Sequence, residues 1–117
     1  MKGSSLLLEY LGNHPKLRIL DFLIDNRSLD YSRNEIMEGS GVSRNTFYKL
    51  WPAIERTGLI KKTRKIGRAE LYKLNEDNTV VQELLKLDQT LGRQAAEKAA
   101  RIQIPAYPRT PRQVKSK

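Results

Sequence analysis

Arg44, Asn45, Tyr48 and Lys49 are long hydrogen-bonding side chains grouped within a single short stretch of the chain. On a helix their spacing puts them on one side, opposite Phe47, Trp51 and Ile54, which recur at four and three residues and are expected to face a core. Arginine pairs with guanine and asparagine with adenine through two hydrogen bonds each, so the chemistry offered is the reading of base edges, not bond-making. An ordinary solvated helix face could have the same composition, and the surrounding sequence has to decide between the two. No P-loop, HExxH or G-x-S-x-G pattern occurs, and there is no cysteine. The single histidine, His14, has no partner at metal or triad spacing. The chain is therefore expected not to be an enzyme and to use neither metal nor cofactor.

The elements that must position this face follow from local signals. Ser32 and Glu35 form an S-x-x-E capping box, which predicts a short helix over about 33–38 with Ile36 and Met37 inward. Gly39 and Gly41 permit a tight turn, Val42 returns the chain to the core, and Ser43 caps a second helix reaching Thr57. Pro52 removes the N–H that would meet the Tyr48 carbonyl, so that helix is expected to kink or reset near Trp51; an unbent continuation would cost about 3 kcal/mol. Gly58 ends it. KKTRKIGRAELYKL then predicts two strands about a turn at Ile66, Gly67 and Arg68. Between Lys61 and Lys73, six cations (Lys61, Lys62, Arg64, Lys65, Arg68 and Lys73) stand against one acid, Glu70. Such a hairpin can lie along a phosphate backbone with Arg68 entering a minor groove; a solvated hairpin kept soluble by edge lysines is the plainer alternative.

The flanks supply support. Leu6, Leu7, Leu8, Tyr10 and Leu11 suggest a short apolar helix capped by Ser4 or Ser5, and Pro15 opens a helix running to about Asn26. In the latter, Leu17, Ile19, Leu20, Phe22, Leu23 and Ile24 form the inward stripe, with Lys16, Arg18, Asp21 and Asp25 facing out. From Thr79 to Ile102 a narrow seam of Val81, Leu84, Leu87, Leu91, Ala95, Ala99 and Ile102 predicts a helix of roughly 36 Å. Pairing with a second copy is the natural way to bury it, with Leu7, Leu84, Leu87, Leu91, Ala95 and Ala99 as dimer contacts; folding back on its own domain is the alternative. Residues 103–117 carry Pro105, Pro108 and Pro111 with several cations and no acid, and are expected to be a disordered or extended basic tail. The organisation expected is thus an N-terminal support over 1–14, a core unit over 15–75, a dimerisation helix over 76–102 and the tail.

Across 117 residues, 22 Lys and Arg against 13 Asp and Glu give a formal charge of +9, so a polyanion is the first partner to expect. The Leu6–Leu8 run is too short for a signal peptide or a membrane span, which suggests a soluble cytoplasmic, nucleoid-associated protein.

Taken together, the capping box, GSGVSRNTFYKL, IERTGLI and RKIGRAELYKLN resemble the winged helix-turn-helix transcription regulators of the broad ArsR and MarR type, particularly small archaeal members, over roughly residues 15 to 90. The resemblance implies a mainly α fold with a small β-hairpin and a long C-terminal dimerisation helix. It implies a homodimer on double-stranded DNA, with the helix over 43–57 in the major groove and the hairpin over 60–74 as the wing. The DNA contacts expected are Arg33, Ser43, Arg44, Asn45, Thr46, Tyr48, Lys49, Lys61, Lys62, Arg64, Lys65 and Arg68. Metal-sensing relatives use cysteine or clustered histidine, absent here, so a metal response is not implied. Winged helices also serve as protein-interaction modules, and the C-terminal helix would then be the working surface.

Overall fold

A computed structural model describes residues 5–106. The chain is mainly helical, with a small antiparallel sheet and a long C-terminal helix. Its order is α1 (Leu6–Leu11), α2 (Pro15–Asp25), β1 (Tyr31–Ser32), α3 (Arg33–Ser40), α4 (Arg44–Arg56), β2 (Ile60–Ile66), β3 (Ala69–Leu74) and α5 (Thr79–Ala106).

Caps delimit the helices much as their residue types dictate. Ser5 accepts the Leu8 N–H at the start of α1, and Pro15 stands at the first position of α2. The capping box is complete: Ser32 Oγ takes the Glu35 N–H at 3.2 Å while Glu35 Oε1 takes the Ser32 N–H at 2.8 Å. Gly41 ends α3 in the left-handed region, φ 70°, where a side chain would be strained. Asn78 takes the Val80 and Val81 N–H groups of the first turn of α5, and its amide, with that of Asn75, reaches back to the Gly58 carbonyl. The exit of α4 and the start of α5 are thereby tied together.

One apolar core joins these pieces. Leu7, Ile19, Leu23 and Ile24 of α1 and α2 meet Ile36 and Met37 of α3, Phe47, Trp51 and Ile54 of α4, Tyr72 and Leu74 of β3, and Val81 of α5. The helix pair α2 and α3 approaches closely at Gly39: a Cβ there would lie 2.2 Å from the Phe22 ring, which itself stands edge-on to Tyr31 at 5.2 Å.

Several expectations are corrected. The sheet has three strands, not two, in the order β1-β3-β2; Tyr31 pairs with Tyr72 and Ser32 with Leu71. Two residues carry no strand signature of their own, and β1 exists because β3 offers it a ladder. Of the kink or reset expected at Pro52, the reset does not occur: the proline lies inside one continuous helix, Arg44–Arg56. Burial of Phe47, Trp51 and Ile54 on either side of the proline holds the helix where propensity would have broken it. Asp21 is buried, not outward. Arg18 also turns inward to the loop between α3 and α4, donating from Nε to the Ser40 carbonyl at 3.2 Å and from Nη2 to that of Gly41. Leu7, expected at a dimer surface, is fully buried in its own chain's core. Helix α5 continues to Ala106, so the tail does not begin at residue 103; residues 107–117 lie outside the described residues.

Candidate nucleic-acid interface

The outward side of α4 is built from its inward side. Phe47 and Trp51 stack with centroids 5.0 Å apart, and Tyr72 of β3 meets Trp51 edge-on at 5.1 Å. This aromatic column fixes the rotation of α4 against the sheet. The Trp51 Nε1 is buried without a hydrogen-bond partner among the described residues, and the ring serves as packing and not as an exposed platform for bases. With that face inward, Arg44, Asn45, Tyr48 and Lys49 are all exposed. The Arg44 guanidinium sits 5.8 Å from the Tyr48 ring centroid, while Asn45 and Lys49 have no polar partner among the described residues. Ser43 and Thr46 are occupied locally: Ser43 Oγ accepts the Thr46 N–H and donates to Thr46 Oγ1 at 3.0 Å, making them the cap of the helix.

In the hairpin, two acids sort the cations. Glu70 takes a hydrogen bond from Lys62 Nζ at 3.1 Å and another from the Tyr72 hydroxyl at 3.2 Å, and lies 3.8 Å from Arg33 Nη1. Arg33 in turn donates to the Tyr72 hydroxyl at 2.6 Å. The Lys62 and Tyr72 hydrogen bonds hold the Glu70 carboxyl below the usual carboxylate range, while burial pushes the Tyr72 phenol up. On the other side of the sheet Asp30 accepts from Arg64 Nε at 2.9 Å and Nη2 at 3.1 Å, a two-pronged pair, and also from the Thr63 hydroxyl. Those bonds, chiefly that of Arg64, bring the Asp30 carboxyl down to about 2. Arg64 and Thr63 sit at a bulge: Lys62 pairs with Tyr72 and Arg64 with Leu71, leaving Thr63 as the extra residue.

The expected contact set therefore divides. Arg33, Lys62 and Arg64 are engaged by acids and help to hold the hairpin in place. Lys61, Lys65 and Arg68 are exposed and have no ion-pair partner among the described residues. Asp30 and Thr63, absent from the expected set, position the hairpin; Asp30 carries no local signal, since its partners are 33 and 34 residues away.

The two halves face a common hollow. Ser32, Arg33 and Asn34 at the start of α3, Tyr48 of α4, and Arg68, Ala69 and Glu70 at the hairpin end line an open cavity of about 130 Å³. Tyr48 of α4 and Arg68 of the hairpin tip thus share one hollow.

Beyond this head, the remaining residues expected to mediate dimerisation follow one gradient. Leu84, Leu87 and Leu91 are half-buried against the chain's own core, Ala95 is half-buried, and Ala99 is exposed. On α1 the outward apolar residues are Leu6, Tyr10 and Leu11. No helix among the described residues is long and apolar enough to cross a membrane. No family model, no curated protein and no solved structure matches the chain.

Proposed function

We propose that the protein is a sequence-specific double-stranded-DNA-binding regulator of winged helix-turn-helix type, acting as a homodimer. The observation that carries this reading is the shared hollow. Tyr48, on the helix that also exposes Arg44, Asn45 and Lys49, lines the same hollow as Arg68 of the hairpin tip, and neither Asn45 nor Lys49 has a polar partner among the described residues. Major-groove readout by the first turns of α4, with the hairpin on the adjoining backbone or minor groove, uses both at once. Ser43 and Thr46 serve this arrangement as the cap that positions Arg44 and Asn45. The formal charge of +9 supplies the long-range attraction.

Selection of bound sites from a pool of random duplexes tests the reading. The expected result is an enriched sequence in two half-sites separated by about one helical turn, roughly 10 base pairs centre to centre. A second reading, a protein-interaction module working through α5, draws on the exposed distal part of that helix around Ala99. Absence of duplex binding even at low ionic strength overturns the DNA reading in its favour.

A further inference from the structure

The end of the hairpin is apolar where its flanks are cationic. Ile66 is 56% exposed and closes the ladder opposite Ala69, whose methyl group covers little of it. Gly67 and Arg68 make the two-residue connection, with Gly67 at φ 61° and nothing within 4 Å of the position its Cβ would take. Gly67 is the ordinary residue for such a turn, and the apolar group at this end is Ile66, the last residue of β2, which lies between Lys65 and the turn residues Gly67 and Arg68. Lys65 lies across from Glu70, but Lys62 and Tyr72 occupy that carboxylate, so both flanking cations remain free for another anion.

We infer that Ile66 is an intercalating wedge and that the protein bends the duplex it binds. This rests on the DNA reading above and adds a mechanical function to it. Free cations on either side of one aliphatic group match a groove whose walls are phosphates and whose floor is a stack of bases. The minor groove is about 6 Å wide, too narrow for the paired strands but wide enough for side chains at the tip, so Ile66 and Arg68 can enter it while the ribbon stays outside. An aliphatic group pressed against the floor partly unstacks a base step and opens a kink. Pyrimidine–purine steps, which unstack at least cost, are the preferred sites. The ion pairs of Asp30 and Glu70 brace the hairpin behind the tip, and such a brace is what pushing into a stack requires.

The test uses a duplex of about 30 base pairs with a fluorophore at each end and 2-aminopurine at a central TA step. Full-length protein is expected to raise energy transfer between the ends and to brighten the 2-aminopurine as it unstacks. Ile66→Ser should lose roughly half or more of both signals while leaving the slope of affinity against salt unchanged, since no cation is removed. Ile66→Leu, which restores an aliphatic wedge, should recover both. Binding without bending, or equal bending by Ile66→Ser, overturns the wedge and leaves the DNA reading standing. Failure to bind the duplex at any salt concentration overturns both.

Discussion

Asp30 holds Arg64 through both carboxylate oxygens and takes the Thr63 hydroxyl as well, so a single half-buried acid joins the loop before β1 to the bulge of β2. Its carboxyl is brought from 3.8 in the unperturbed state down to about 2, and a depressed acid stabilises the fold fully only above its unfolded value. That contribution fades as pH falls from about 4 toward 2, and Asp30→Asn should lack it: urea unfolding across that window should show a shallower acid decline in the variant than in the wild type. On the proposed DNA reading, the same sorting of charges separates two variants. Asn45→Ala should relax sequence preference by about 1–3 kcal/mol at one base position, whereas Lys65→Ala should weaken all duplexes alike and lower the salt slope by about one. Equal loss in both variants on selected and random duplexes overturns the division of labour. In the sequence, Ser32, Glu35, Ser43, Phe47, Trp51 and Ile54 were legible because each depends on neighbours three or four residues away. The pairing of Arg64 was not, because its partner is 34 residues distant and counting charges within the hairpin could not bring Asp30 into it.

Helices α2 and α3 touch through an absence. Gly39 looks from sequence like a turn glycine, but it lies inside α3, and its missing side chain leaves room for the Phe22 ring. Gly39→Ala would gain helix propensity of about 1 kcal/mol in an isolated peptide. In the protein the new methyl meets Phe22 at 2.2 Å, and Phe22 is packed edge-on against Tyr31, so the variant should be less stable by about 1–3 kcal/mol on chemical denaturation. A gain in stability would mean that the ring yields freely. Pro52 departs from sequence expectation in the opposite direction: the local rule predicts a kink or reset, and α4 continues without a reset because Phe47, Trp51 and Ile54 bury around it. Strand β1 was illegible for a related reason, since Tyr31 and Ser32 become a strand only when Tyr72 and Leu71 lie beside them. Local rules thus located the helices, and long-range contacts decided the strand count and the fate of the proline.

At the scale of the whole molecule, the longest dimension is 61 Å against 28 and 25 Å for the others. The seam legible in the sequence as Val81, Leu84, Leu87, Leu91, Ala95 and Ala99 serves two ends: Val81 is fully buried in the head, and exposure rises toward Ala99. Sequence periodicity could not apportion the seam, because a stripe looks the same whichever surface covers it. If a second copy covers the distal part, Ala95→Glu combined with Ala99→Glu should convert a dimer to a monomer in sedimentation equilibrium with little change in the thermal unfolding of the head. An unchanged mass, or a monomeric wild type, rules out this distal seam as the dimer contact. The bulge at Thr63 has its own consequence at this scale. Deleting Thr63 would leave every cross-strand pair intact, from Ile60 with Leu74 to Ile66 with Ala69, yet remove the bulge and the hydroxyl that bonds Asp30. On the proposed DNA reading, the hairpin and α4 would be the jaws of a calliper with the bulge as a hinge in one jaw. Reach along a duplex would then change by insertion or deletion at that hinge while every cation and the tip keep their identities.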